Sequence, residues 1–197
     1  PMLTYWYYAV PGASTVMEVY AQAPDSVSTV VATTDFKGLN GDAGWRMGCA
    51  DLSGLVSLKY IRLGFRTVSG DDAIGSKLDE VTVRQGVEKN LALVMNSARK
   101  MEVDKASEVV LSVLNTGTAD FAVGSYRINM YKNGEPAGSI DGPALGSGKT
   151  AEVLIPVTPD IFDGDAVVLK AALEAEGDMN PEDDCTVEKT VAVRQNK

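Results

Sequence analysis

The sequence predicts an all-β protein made of two β-sandwich modules. Short runs of β-branched and aromatic residues recur along the 197-residue chain, separated by clusters of Gly, Pro, Asn and Asp. No long stretch shows the apolar stripe of an amphipathic helix. The length suffices for two domains of about 100 residues each. These three observations favour sandwiches with short strands and frequent turns.

The predicted strands follow from alternation and from the turn residues that bound each run. In the first half they cover residues 2–9, 15–22, 27–34, 44–51, 57–67 and 77–85. In the second half they cover residues 89–97, 107–115, 123–132, 136–140, 149–157, 165–176 and 185–194.

The run RQGVEKN, residues 84–90, predicts the boundary between two modules, 1–87 and 88–197. Residues 1–87 carry 7 basic and 9 acidic groups, whereas 88–197 carry 11 basic and 18 acidic groups, so most of the net charge of −9 lies in the second module. Gly86 and the polar residues after it separate two strand runs by only a few positions. We expect such a short link to make the pair a fairly stiff rod.

The composition excludes several classes of function. With a net charge of −9 and no cluster of Lys and Arg, the chain is not expected to bind nucleic acid. It contains no histidine, which removes the commonest general base and transition-metal ligand. The acidic residues that a two-carboxylate hydrolase would need show no spacing that singles out a pair. No apolar run approaches the roughly 18 residues of a membrane span. We therefore expect no enzymatic activity and no membrane insertion within this chain.

The two cysteines, Cys49 and Cys185, are too few and too far apart for a disulfide framework or a zinc site. We interpret them as independent thiols, with Cys49 buried if its strand face points inward and Cys185 partly exposed. The chain starts within a predicted strand and shows no signal peptide. This start indicates a piece of a longer protein.

Three passages of the second half carry a family resemblance: SEVVLSVLNTGTADFAVGSYRINMYKNGE, LGSGKTAEVLIPV and GDMNPEDDCTVEKTVAV. In the first passage Val109, Leu111 and Val113 form one apolar strand face, and Asn133-Gly134 is a strong hairpin signal. Residues 88–197 resemble a CARDB-type module, the immunoglobulin-like sandwich found as a spacer in bacterial surface proteins. The resemblance implies a fold and a location, not an activity.

Five passages of the first half, in order, carry a second resemblance: LTYWYYAV, TVMEVYAQ, AGWRMGCADLSGL, YIRLGFRT and KLDEVTVRQG. They are similar to the later part of the MAM-like or cleaved-adhesin jelly roll, also known as the choice-of-anchor J domain. The opening strands of that family are missing from residues 1–87, which leaves two alternatives. Either sequence outside this chain completes a jelly roll whose edges and core are partly exposed here, or the module is a smaller sandwich.

Alternation divides the aromatic residues of TYWYYAV between two faces of its strand. Tyr5 and Tyr7 are expected to point into the core. The opposite face is the candidate ligand-binding surface, and its residues are Trp6, Tyr8 and Tyr20, joined by Tyr60 and Arg62 if their strands are neighbours in one sheet. Rings flanked by arginines can stack on sugars or anchor a protein partner. The alternative is that this face serves only structure or packing between the modules.

Two places are candidates for a cation, with calcium the expected ion and no cofactor otherwise predicted. The jelly-roll resemblance implies metal ligands at Asp79 and Glu80, although the family's other acidic segment is missing. The loop DMNPEDD, residues 178–184, places oxygen ligands at alternate positions but lacks the glycine and the final glutamate of an EF-hand loop. It is either a solvated hairpin tip or a cation site.

The expected function is therefore a non-catalytic, extracellular adhesion or spacer fragment of a larger bacterial surface protein, whose partners are its neighbouring domains. The alternative is a carbohydrate-binding module that uses the exposed aromatic face. Extracellular or cell-surface localisation follows from the resemblance alone.

Overall fold

The computed structural model describes residues 1–24, 27–56, 60–69, 76–98 and 100–195. Within these residues the fold is all-β, as predicted, and its helical elements are three single 3₁₀ turns. The first six strands are β1 (Met2–Ala9), β2 (Thr15–Gln22), β3 (Thr29–Asp35), β4 (Gly44–Asp51), β5 (Arg62–Ser69) and β6 (Leu78–Arg84). The remaining strands are β7 (Leu91–Ala98), β8 (Met101–Glu102), β9 (Ser107–Asn115), β10 (Tyr126–Lys132), β11 (Glu135–Asp141), β12 (Thr150–Val157), β13 (Ala166–Ala175) and β14 (Lys189–Arg194).

Strands β1–β6 form the N-terminal sandwich, which has two antiparallel sheets in the orders β4-β1-β6 and β3-β2-β5. Its core lies between the sheets, because β1 and β2 each turn alternate residues inward. Tyr5 packs edge-on against Phe65 with ring centroids 5.3 Å apart, and Tyr7 stacks on Phe36 at 6.0 Å. The prediction that Tyr5 and Tyr7 belong to the core is confirmed.

Strand β6 forms one edge of its sheet, and every residue in it is exposed. Its register with β1 places Leu78 and Val83 beside the inward-facing Tyr7 and Leu3, yet both remain about half exposed. The pairing is interrupted by a bulge, where Glu80 adopts a φ of +46°. This side of the N-terminal sandwich therefore presents an exposed strand edge with partly exposed apolar side chains.

Strands β7–β14 form the C-terminal sandwich, with sheets in the orders β11-β10-β13-β14-β8 and β12-β9-β7. The β8–β14 pair is parallel and the other named pairs are antiparallel. The predicted apolar face of Val109, Leu111 and Val113 lies in the core between these sheets. The other face of β9 is buried as well, because Val110, Ser112 and Leu114 are covered. This explains why the run VVLSVLN is apolar at nearly every position.

Local turn chemistry agrees with the sequence. Asn133 and Gly134 both have positive φ angles and join β10 to β11 as a two-residue hairpin. Asn115 is fully buried, and its side chain organises the next turn by accepting from Gly117 N at 3.0 Å and donating to Ala119 O at 2.8 Å.

All thirteen predicted strands have a counterpart in the described residues, and the largest differences in their limits occur at two of them. The predicted strand 57–67 begins only at Arg62, and residues 57–59 lie outside the described part. The predicted strand 185–194 begins at Lys189, because Cys185 forms only an isolated bridge to Ala172. The two-residue β8 was not predicted, since a pair of residues shows no periodicity.

In the ranges that the structure describes, we find no helix with the length and apolarity required to span a membrane.

Candidate functional site

The junction between the two sandwiches is the best-formed candidate site, and it begins with an apolar contact. The outer face of sheet β4-β1-β6 packs on the outer face of sheet β12-β9-β7. Met2 and Cys49 from the first sheet meet Ala92 and Leu114 from the second in one buried cluster. Alternation along β4 points the Cys49 side chain away from the core of the N-terminal sandwich. The same orientation places it inside the junction.

A buried ion pair crosses the junction beside this cluster. Arg46 on β4, 1% exposed, donates to Glu152 on β12, which is 13% exposed. Arg46 Nη2 also donates to Asn40 O at 2.5 Å, while Glu152 Oε2 accepts from Asn40 N at 2.8 Å. Among the residues that the structure describes, none accepts a hydrogen bond from Arg46 Nε. Removing either partner of such a pair strongly destabilises the protein, because the remaining charge stays buried without a counter-charge.

The thiol of Cys49 is enclosed by the C-terminal sandwich. Its Sγ lies 3.6 Å from both Asn115 O and Lys149 O and 3.8 Å from Thr150 Oγ1. Burial raises the pKa of Cys49 to about 11, so the reactive thiolate is scarce at neutral pH. The expectation of a buried Cys49 is confirmed, although it is buried between the sandwiches and not within one. Cys185 is exposed, as expected.

A cavity of about 480 Å³ lies where β3 and β4 leave the N-terminal sandwich open toward β12. Tyr5, Tyr7 and Thr34 line its inner wall, and Lys149 and Glu152 belong to its outer wall. Burial raises the pKa of Tyr7 to about 12 and raises that of Tyr5 further, so both phenols are protonated and can donate hydrogen bonds.

The linker between β6 and β7 is held on two sides. On one side the turn after β9 donates backbone hydrogen bonds to it, from Thr118 N to Val87 O at 2.9 Å and from Gly117 N to Asn90 O at 3.1 Å. A side chain at Gly117 would come within 2.6 Å of Asn90 N, so only glycine allows this approach. On the other side Met179 N donates to Lys89 O at 3.1 Å.

A groove of about 350 Å³ with an aromatic wall lies on another side of the junction. Trp6 and Trp45 form that wall, and residues 93–95 and 185–189 of the C-terminal sandwich form the rest. Tyr8 is half-buried and packs edge-on against Trp45, which is 41% exposed, with ring centroids 5.9 Å apart. Lys77 Nζ lies 5.4 Å from the Tyr8 ring. The face of Trp6 and Tyr8 is thus partly covered by the second sandwich.

The predicted single patch of five residues does not form, and this is a correction. Strands β1 and β2 belong to opposite sheets, so the outer faces that carry Trp6 and Tyr20 point away from each other. Tyr20 lies over Gly64 on β5, and Arg62 is exposed on that same outer face. Tyr60 is exposed and precedes β5.

The loop between β13 and β14 brings together Asp178, Asp183 and Asp184, with one oxygen of each within 4.8 Å of the others. Burial, followed by the charges of Asp178 and Asp183, raises the pKa of Asp184 to about 6. Burial also raises the pKa of Asp183. These carboxylates could hold a cation.

The other predicted metal ligands, Asp79 and Glu80, are exposed on β6. Asp79 Oδ1 accepts from Glu80 N at 2.8 Å. Within the described ranges, no third acidic or cysteine side chain joins them in a group that could share an ion. Calcium at this pair stays a prediction.

Comparison with known proteins gives structural neighbours only. No protein-family model matches the chain, and no curated protein matches it. Two solved structures of the CARDB domain of a Pyrococcus furiosus protein are similar to part of it. The solution structure is 18% identical and covers 54% of this chain and 96% of its own, with a TM-score of 0.45. The crystal structure, described as a complex with di-metal ions, is 19% identical and covers 57% and 95%, with a TM-score of 0.47.

Sequence reasoning did not find the main residues of the junction. Arg46 and Glu152 lie 106 positions apart, so no local pattern connects them. A signal nonetheless existed, since each is a charge between two apolar neighbours in the interior of its strand. Trp45 shares its strand face with Met47 and Cys49, and that alternation could have placed it beside Trp6.

Proposed function

We propose that this chain is a stiff, non-catalytic spacer in a larger bacterial surface protein, acting outside the cell to set the position of neighbouring domains. In this proposal residues 1–87 and 88–197 are two modules that move as one body. The jelly-roll-like and CARDB-type character of the two modules, and hence the location, rest on the resemblance of sequence passages. The absence of histidine supports a non-catalytic role.

The observation that carries the proposal is the charged and apolar packing of the junction. A hinge between domains is typically a polar contact with few interactions. Here the Arg46–Glu152 pair is buried, Cys49 and Leu114 are in one apolar cluster, and the linker is hydrogen-bonded to the turn after β9. A relative rotation of the sandwiches would expose these groups, and it would therefore be costly.

Pulsed electron double resonance on the full chain tests this stiffness. Spin labels at Ser14→Cys and Phe162→Cys, both exposed positions on different sandwiches, would be introduced in a Cys185→Ser background. We expect one narrow distance distribution, and a broader one after Glu152→Ala. Cys185→Ser alone should take up no label. A broad distribution in the parent protein would contradict the spacer proposal.

A second candidate function is glycan binding in the groove of Trp6 and Trp45. The favouring observation is that two tryptophans form one wall of a groove whose opposite side carries Glu188 and Lys189. Indole faces stack on sugar rings, and charged side chains can hydrogen-bond their hydroxyl groups.

A glycan array would test this candidate with a matched pair of variants. Trp45→Ala should abolish binding, whereas Tyr60→Ala, an exposed aromatic residue outside the groove, should leave it unchanged. Both variants should keep the melting temperature of the parent within a few degrees. An absence of binding across plant, host and microbial glycans would reject the candidate and leave the spacer proposal intact.

A further inference from the structure

The chain contains two Asn-Gly pairs, Asn40-Gly41 and Asn133-Gly134, at which the asparagine can lose its side-chain amide. Glycine promotes this reaction because it has no Cβ to shield its backbone nitrogen from the preceding side chain. The deprotonated nitrogen attacks Cγ of the asparagine, the Cγ–Nδ2 bond breaks, and ammonia leaves with the proton that the nitrogen lost. Water then opens the resulting succinimide ring at either carbonyl and yields aspartate or isoaspartate.

The structure holds Asn133 firmly although this residue is exposed. Its Oδ1 accepts from Val168 N and its Nδ2 donates to Asp163 Oδ1, both at 2.8 Å. Its backbone nitrogen donates to Val168 O, also at 2.8 Å. The Asp163 side chain is only 7% exposed and pairs with Lys132, so this partner is itself fixed. We therefore expect ring closure at Asn133 to require local opening of the hairpin.

Asn40 is held less firmly. It is exposed and lies in the loop between the 3₁₀ turn Phe36–Gly38 and β4, where residues 40–43 belong to no strand. Among the described residues its side chain makes one hydrogen bond, from Nδ2 to Glu152 Oε2 at 3.1 Å. Asn40 therefore has one side-chain bond fewer than Asn133, and its backbone is not part of a tight hairpin.

We propose that Asn40 is a site of spontaneous deamidation and that its products weaken the junction. Glu152 Oε2 accepts from both N and Nδ2 of Asn40, while Asn40 O accepts from Arg46 Nη2 at 2.5 Å. Deamidation replaces Nδ2 by a carboxylate oxygen beside Glu152, so that two carboxylates share one guanidinium and repel each other.

Isoaspartate has a second effect, because it adds a methylene group to the main chain at position 40. The added group displaces the backbone N and O of this residue, and both contact the buried ion pair. The reaction consumes only water, so it needs neither an enzyme nor a cofactor. The site itself goes beyond the spacer proposal, and only its consequence for stiffness rests on that proposal.

Peptide mapping by mass spectrometry, after incubation of the full chain at mildly alkaline pH, tests the site. We expect Asn40 to lose its amide about tenfold faster than Asn133, the effect of about one additional hydrogen bond, with isoaspartate among the products. Asp163→Ala removes the acceptor of Asn133 Nδ2 and should accelerate the reaction at Asn133 alone. A parent protein in which Asn133 reacts as fast as Asn40, or an unchanged Asn133 rate in Asp163→Ala, would overturn the proposal.

Asn40→Asp carries the side chain of one product and tests the consequence at the junction. In a Cys185→Ser background we expect a thiol reagent to modify Cys49 about tenfold faster, since a hydrogen bond to a charged group is replaced by repulsion. Asn129→Asp is the matched control, because Asn129 Nδ2 lies 3.5 Å from Glu174 Oε2 on the other sheet of the C-terminal sandwich. It should leave the Cys49 rate unchanged.

Equal Cys49 rates in Asn40→Asp and the parent would reject the effect on the junction. Circular dichroism confirms that each variant is folded. The spin-label distances of freshly prepared protein report separately on the spacer proposal, because a broad distribution there contradicts the spacer while the peptide map still decides whether Asn40 reacts.

Discussion

Strands β9 and β6 show that the two sandwiches differ in how well their strands are buried from solvent. From Val109 to Asn115 every residue of β9 is buried, whereas every residue of β6 is exposed. One face of β9 closes the core of its own sandwich, and the other supports the N-terminal sandwich. The N-terminal sandwich has no comparable strand along its β6 edge. We infer that its stability depends on the junction, while the C-terminal sandwich closes its own core.

The largest expected effect comes from breaking the buried ion pair that connects the two. Glu152→Ala leaves the guanidinium of Arg46 buried without a counter-charge, and removal of one partner of such a pair costs about 3–5 kcal/mol. Because both tryptophans of the chain are in the N-terminal sandwich, their fluorescence should report this loss during chemical denaturation.

The control is Glu108→Ala, which removes an exposed acid from β9 and should cost about 0.5 kcal/mol or less. Thiol labelling gives a second measurement: Cys185 should react at once in the native protein, and Cys49 only as the junction opens. A rate for Cys49 in Glu152→Ala equal to that of the parent would show that the pair does not hold the junction closed.

A matched pair of core substitutions is expected to have the next largest effect on stability. Leu111→Ala removes a fully buried side chain of β9 and should cost about 2–5 kcal/mol, because a cavity remains. Val83→Ala removes an inward-facing but 51% exposed side chain of β6 and should cost about 1 kcal/mol or less. Equal losses in urea denaturation would mean that β6 is covered in solution and that the contrast between the two strands is wrong.

The smallest expected effect concerns the acidic loop in the absence of calcium. The pKa of Asp184 is raised from 3.8 to about 6 by burial and by the charges of Asp178 and Asp183. Folding therefore favours the protonated form. Its stabilising contribution is complete below about pH 4 and is lost as the pH rises through about 6.

Asp184→Asn should consequently raise the melting temperature at pH 7 by a few degrees or less in chelator, and this difference should disappear near pH 4. Differential scanning calorimetry across that range measures it. Glu176→Gln, which replaces an exposed acid just before the same loop, is the comparison variant. A variant that is less stable than the parent at pH 7 would show that the loop carboxylates do not repel one another.

How far the sequence could predict this molecule depends on how local each feature is. The presence of each strand and the Asn133-Gly134 hairpin depend on neighbouring residues, and the division of Tyr5 and Tyr7 from Trp6 and Tyr8 depends only on alternation. Each of these agrees with the structure. The choice of neighbouring strands depends on the whole chain, so Tyr20 was grouped with Trp6 although their strands belong to opposite sheets.

The candidate sites show the same limit. The loop of residues 178–184 was identified as an alternative cation site from its oxygen ligands alone. The hydrogen bond from Asn90 to Asp183 in this loop could not be predicted, because the two residues lie 93 positions apart. The Arg46–Glu152 pair required the register of β12 on β9 and the packing of two sheets, neither of which a single sequence records.

The bulge of β6 has a consequence for how the protein behaves at high concentration. An exposed sheet edge is a template on which strands of other molecules can add, which is the first step of aggregation. Here the left-handed turn at Glu80 interrupts the flat row of backbone donors and acceptors, and the charges of Asp79 and Arg84 lie on either side of it. An approaching strand would lose part of its hydrogen bonding and bury charge, so the edge discourages polymerisation while staying open to solvent.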